Sequence, residues 1–129
     1  MSGELPVWTP SLLRIADANL TRFMGFVDAR GTRIADYDSL YRWSVEDPGA
    51  FWQALWDFCC IAGERGAGPA VEGGDRMPGA RWFPGARLNF AENLLARGPD
   101  AQPAIVFRNE RASRRELSFA ELRAEVGRV

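Results

Sequence analysis

Met77-Pro78-Gly79-Ala80-Arg81-Trp82-Phe83-Pro84-Gly85-Ala86-Arg87-Leu88-Asn89-Phe90-Ala91-Glu92-Asn93-Leu94-Leu95 carries two kinds of signal side by side. Its first half repeats Pro78-Gly79-Ala80-Arg81 as Pro84-Gly85-Ala86-Arg87. Pro-Gly suits the two central positions of a type II turn, so two turns are expected around an extended Trp82-Phe83. Its second half opens a helix. Asn89 is a favoured N-cap, Glu92 three residues later fits a capping box, and Phe90, Leu94 and Leu95 supply an apolar face. Gly98-Pro99 stops that helix. The glycine- and proline-rich run from Gly63 to Gly85 therefore reads as an irregular surface excursion that feeds a helix.

Upstream the pattern is helical. Thr9-Pro10-Ser11 offers an N-cap and a first-turn proline, and Leu12, Ala16, Leu20, Phe23, Met24 and Val27 then recur at helical spacing. One helix is expected, ending at Gly31. Asp36 to Trp43 predicts one or two helical turns. Asp47-Pro48 starts a further helix bearing Phe51, Leu55, Trp56, Phe58 and Cys59, in which Trp52 and Trp56 pair at i, i+4. Each large side chain buried there contributes about 1.5–3 kcal/mol, so this helix must dock on something.

Downstream, Ala104-Ile105-Val106-Phe107 predicts a strand, Asn109 to Ser113 a polar turn, and Arg114 to Leu117 a returning strand. Ser118 and Glu121 form a second capping box, opening a helix with Phe119, Leu122, Val126 and Val129 on one face. Its apolar stripe runs to the last residue, an abrupt end that suggests truncation. The expected class is α+β, mostly helical with a short β-hairpin.

Composition narrows the chemistry. The 129 residues hold 16 Arg, no Lys and no His, against 17 acidic residues, for a net charge of −1. Without His there is no Ser–His or Cys–His nucleophile pair and no imidazole metal ligand. Without Lys there is no Schiff base and no ammonium to hold a transferring phosphate. The charge balance disfavours nucleic acid and anionic membranes as partners. No Gly-x-Gly-x-x-Gly or Walker-type loop occurs. The start, Met1 to Pro6, lacks the pattern of a secretory signal, and no apolar run approaches the roughly 20 residues of a membrane span. The adjacent Cys59-Cys60 read as two small buried hydrophobes in a helix, which fits a reducing cytoplasm.

Five strings in order carry a resemblance: Leu40-Tyr41-Arg42-Trp43-Ser44-Val45-Glu46-Asp47-Pro48, Phe51 to Phe58, Met77 to Leu95, Pro103-Ala104-Ile105-Val106-Phe107, and Ser118-Phe119-Ala120-Glu121-Leu122. Together, from about Trp8 to Val129, they resemble the N-terminal region of the acetoacetyl-CoA synthetase (acetoacetate–CoA ligase) family, within the adenylate-forming superfamily. The resemblance implies the N-terminal part of a large α/β adenylation domain. Residues 1–100 would be the helical region of acetyl-CoA-synthetase type, and 101–129 the start of the AMP-binding domain. It implies acyl-adenylate formation from ATP with Mg²⁺, followed by displacement of AMP by the thiol of CoA. In that family, phosphates are handled by a Ser/Thr/Gly-rich loop ending in lysine and by a lysine of a small C-terminal domain. Neither motif is present here, so the resemblance carries no catalytic, cofactor-binding or metal-binding residue onto this chain. ATP, Mg²⁺ and CoA are implied for the full-length enzyme only, and the implied partner is the remainder of the adenylation domain.

Other features are better explained structurally. Trp82, Leu88 and Asn89 could lie near a substrate or CoA tunnel, but packing of Trp82 over the following helix and capping by Asn89 account for them. Arg108, Arg111, Arg114 and Arg115 form a basic patch interrupted by Glu110 and Glu116, as expected of a solvated face. The pairs Asp36/Asp38 and Glu46/Asp47 sit at predicted helix starts, where acids suit the helix dipole. The expected role of the chain is structural, within a ligase that acts elsewhere. The alternative is a stand-alone, non-catalytic interaction module derived from that family.

Overall fold

Helix starts are well determined in this fold, because five of the six described helices are capped by a side chain within a few residues of the backbone it caps, the exception being the one that starts after Ala18. The computed structural model describes residues 7–128. Ser11 caps α1 (Leu12–Ala16), its hydroxyl accepting from the Arg14 N–H at 3.3 Å. Asp36 caps α3 (Tyr37–Glu46) in a full capping box with Ser39. Asp47 caps α4 (Pro48–Phe58) with Pro48 in its first turn. Asn89 caps α5 (Phe90–Leu95), and Ser118 caps α6 (Phe119–Val126) in a second full box with Glu121.

The strands are two antiparallel pairs: β1 (Val71–Glu72) with β2 (Arg81–Trp82), and β3 (Pro103–Arg108) with β4 (Arg114–Ser118). The predicted hairpin at 104–117 is present, with Ile105 opposite Leu117 and Phe107 opposite Arg115. Its turn is closed by the Asn109 side chain, which accepts from the N–H groups of Arg111 and Ser113 at 3.1 and 3.0 Å. The class is mixed, helical with short antiparallel strand pairs.

The chain folds as two compact units. The first comprises residues 7–60 and 66–85; the second comprises Ile61–Arg65 and 86–128. In the first unit the core is Phe23 and Val27 of α2 (Asn19–Asp28), Ile34, and Leu40 of α3. Met24, Phe26, Trp43, Phe51, Ala54, Leu55 and Phe58 pack around it. Phe23 is 4% exposed, with ring centroids 5.7 Å from Phe51 and 5.2 Å from Phe58. In the second unit no described residue is buried.

Several expectations need correction. The helix expected from Leu12 to Gly31 is two helices, because Ala18 is extended and Asp17 caps the end of α1. Thr21 donates to the Ile15 carbonyl across the break at 2.6 Å. Periodicity cannot register a single extended residue. It also overstates burial, since Leu12 is 85% exposed. Helix α3 runs to Glu46, longer than one or two turns, so Glu46 ends a helix while Asp47 starts the next. Trp52 and Trp56 take rings of the β1–β2 segment, Trp82 at 5.4 Å and Phe83 at 5.0 Å. Phe83 is not extended; its φ is 43°. The excursion is thus a small ribbon with Ala70 buried beneath it, tied by the Phe83 N–H to the Ala70 carbonyl at 2.7 Å. Helix α6 stops at Val126, with Gly127 as C-cap, rather than running on. Val129 and the segment Met1 to Pro6 lie outside the described residues.

Phe23→Ala is expected to destabilise the first unit by about 3–5 kcal/mol, while Leu12→Ala stays within about 0.5 kcal/mol; tryptophan fluorescence during urea unfolding reads both. The caps also set a pH dependence. The Ser39 N–H, then its hydroxyl, hold the Asp36 carboxyl below its ordinary value, and the Ser118 N–H and hydroxyl do the same for Glu121. Because the folded values are depressed, this stabilisation is complete above the ordinary carboxylate range, near pH 4, and is lost as pH falls through the folded values. Amide exchange at Ser39 and Ser118, corrected for its intrinsic pH dependence, should therefore accelerate below about pH 4. Asp36→Asn should flatten the Ser39 response and leave that of Ser118 unchanged.

Candidate functional site

Three shallow hollows indent the surface of the described residues. One of about 240 Å³ lies on the β3–β4 hairpin, lined by Ile105, Phe107, Arg115, Glu116 and Leu117. A second, about 350 Å³, follows one side of α3 past Asp38, Tyr41, Arg42, Val45 and Glu46. The third, about 280 Å³, sits in the 74–82 loop beside Trp82.

Their linings mix apolar and charged side chains. Asp38, Arg42 and Glu46 stand at i, i+4 spacing on a solvated helix side, where mixed charges suit an exposed helix. Tyr37 and Tyr41 stack beside them, with ring centroids 6.5 Å apart. Among the described residues, no group of three or more Cys, Asp or Glu side chains could hold a metal ion. No described side-chain nitrogen or oxygen is buried without a hydrogen-bond partner.

Of the acids in the Asp36/Asp38 and Glu46/Asp47 pairs, Asp36 and Asp47 are caps. The Asp36 carboxylate accepts from the Ser39 N–H at 2.8 Å, and that of Asp47 from the Ala50 N–H at 2.9 Å. Asp38 lies in the first turn of α3. The structure brings neither pair together over a reacting atom. Arg108 and Arg114 face each other across the hairpin, where Arg114 pairs with Glu116, and Arg115 lies opposite Phe107. This is an exposed, partly neutralised patch. Cys59 ends α4 half-buried, but Cys60 is exposed with φ 49°, so the expectation of two buried cysteines inside a helix holds for neither position fully.

Trp82 has its ring against Trp52 of α4, the helix before it, where the sequence pointed to the helix after it. Asn89 is a cap, accepting from Ala91 at 2.8 Å and Glu92 at 3.3 Å, and Glu92 enters through its backbone N–H. Leu88 is exposed beside it. The glycines of the excursion serve close backbone approach: a Cβ on Gly66 would lie 2.3 Å from the Gly85 carbonyl oxygen, and φ there is +75°.

Sequence reasoning missed two residues that organise the second unit. Asn93 donates to the Ala62 carbonyl and accepts from the Ala62 N–H, both at 2.8 Å, as a strand neighbour would. Arg123 donates to the carbonyls of Leu95 at 2.7 Å and Gly98 at 3.3 Å, and pairs with Asp100. These groups join α6, the end of α5 and the Ile61–Arg65 segment. An Asn inside a short helix and an Arg on an apolar helix face are the only local hints.

Comparison with known proteins finds relatives along the whole of this chain. Residues 37–94 match the family described as "Acetyl-coenzyme A synthetase N-terminus". An acetoacetyl-coenzyme A synthetase of Rhizobium meliloti is 43% identical over 100% of this chain and 20% of its own length. A malonamoyl-CoA synthetase of Penicillium aethiopicum is 36% identical over 98% of this chain and 18% of its own. The solved acetoacetyl-CoA synthetase of Streptomyces lividans superposes with a TM-score of 0.81 at 35% identity, covering 95% of this chain and 20% of that one. The chain thus spans about a fifth of the length of the relatives it matches. By sequence and by fold, it corresponds to the N-terminal part of the acetoacetyl-CoA synthetases.

Proposed function

We propose that this chain is the N-terminal segment of an acetoacetate–CoA ligase, which converts ATP, acetoacetate and CoA to acetoacetyl-CoA, AMP and diphosphate. Its own role is structural. Residues 1–100 form the helical region of acetyl-CoA-synthetase type, and 101–129 begin the AMP-binding adenylation domain. ATP, Mg²⁺ and CoA are held by the remainder of that domain, the principal partner of this segment, in the cytoplasm and without nucleic acid or membrane. The observation that carries this reading is the match along the whole chain to one fifth of a ligase, at 43% identity.

What supports a supporting role is the abundance of uncovered apolar side chains among the described residues. Leu12, Leu13, Tyr37, Tyr41, Phe90 and Phe107 are all exposed. Apolar area of this extent favours covering polypeptide. The substrate class follows from the relatives' chemistry. Acetoacetate and malonamate are both short carboxylates with a carbonyl at the β position, so the ligase served here takes an acid of that type.

The purified 129-residue chain should release no pyrophosphate from ATP on addition of acetoacetate and CoA. A chimera in which the chain replaces the matching segment of the Rhizobium enzyme should regain acetoacetate-dependent AMP formation. Turnover by the contaminant-free chain alone, or a folded but inactive chimera, would overturn the proposal.

A further inference from the structure

We infer that the exposed side of α3 is a contact between two copies of this chain, in which the two helices pair antiparallel about a two-fold axis and Arg42 of each meets Asp38 of the other. The inference goes beyond the ligase reading and does not depend on it, since it concerns one helix of the first unit.

Helix α3 carries two apolar stripes, and its own unit uses only one of them. Leu40 is buried in the Phe23 core, and Trp43 packs against it. Tyr37, Tyr41 and Val45 recur at i, i+4 spacing on another side of the helix, at 61%, 60% and 62% exposure. The two tyrosine rings stack on each other. A helix with apolar residues beyond its core-facing stripe has a second surface to cover.

What lies beside that second stripe selects the occupant. Asp38, Arg42 and Glu46 run along it at the same spacing, and with Tyr41 and Val45 they line one hollow of about 350 Å³. Their charges alternate as negative, positive, negative. Spaced in this way they could pair along the helix, yet none of the ion pairs among the described residues joins them. A purely apolar cover would bury three unpaired charges, which is heavily unfavourable. The stripe therefore suits a surface that offers apolar contact and the complementary charge in one row.

A second α3 offers both. In an antiparallel two-fold pair the same patch serves both partners, so each row meets its own copy. With the axis level with Leu40, Arg42 stands opposite Asp38 of the other copy, and this pairing occurs twice. In the same register Tyr41 of each copy falls between Tyr37 and Tyr41 of the other. Tyrosine and arginine are the residue types enriched at such interfaces. Exposed ion pairs add little affinity, so the tyrosines hold the pair and the charges set its register. A helix of 10 residues spans about 15 Å, too little for a permanent interface, and monomer and dimer should exchange.

Sedimentation velocity of the Rhizobium chimera and of the 129-residue chain, over about 1 to 100 μM, tests this. Both should move toward twice the monomer mass across that range. Arg42→Asp sets two acids against each other across the axis and should raise the dimer dissociation constant more than about tenfold. Asp38→Arg combined with Arg42→Asp exchanges the two charges and should return that constant to within about threefold of its starting value. A chimera that stays monomeric at about 100 μM overturns the inference. So does a dimer indifferent to Arg42→Asp, or one that the exchanged pair does not restore. A chain that pairs while the chimera does not assigns the stripe to the ligase polypeptide, which overturns the inference as well. Mass is read whether or not the chimera turns over, so an inactive chimera counts against the proposed function alone.

Discussion

Everything in the first unit depends on one side chain having apolar neighbours from three directions. The Phe23 ring sits within 6 Å of both Phe51 and Phe58, and Phe26 also meets Phe58, so α2 and α4 are held by a small cluster of ring contacts centred on Phe23. Leu40 brings α3 to the same point, and Val27 and Ile34 close it. A core of so few buried residues leaves little surplus over the conformational entropy of ordering the chain. The caps and the Trp52–Trp82 and Trp56–Phe83 contacts therefore matter more here than they would in a larger domain.

The second unit is held by a different force. With no buried side chain, its order comes from hydrogen bonds that reach far along the sequence. Asn93 mimics a strand toward Ala62, and Arg123 gathers two carbonyls at the end of α5. Hydrogen bonds to a charged group contribute about 1.5–3 kcal/mol each at most, and less where water competes. Gly98 permits the approach, since a Cβ there would meet the Phe119 ring at 2.0 Å. Such a unit is organised but not sealed.

Exposed apolar surface and locally built helix caps fit the supporting role proposed above, because support is made of caps, aromatic contacts and sheet edges. The likeness to both acetoacetyl- and malonamoyl-CoA synthetases fits such a segment, because support can be shared where the acyl group differs.

The amino-acid sequence by itself determined the caps at Asp36, Asp47, Asn89 and Ser118, the 104–117 hairpin, the turn-rich excursion and the family resemblance, and left the first cap open between Thr9 and Ser11, of which the structure uses Ser11. Each of the structural features rests on groups within a few residues of one another, so local pattern suffices. Only the tertiary structure decided the break at Ala18, the ring partners of Trp52 and Trp56, the exposure of Cys60, and the roles of Asn93 and Arg123. Those depend on groups 23 to 31 residues apart, as for Arg123 with Asp100 and Asn93 with Ala62, or on which apolar face finds a partner. Periodicity says that a face is apolar; it does not say what, if anything, covers it.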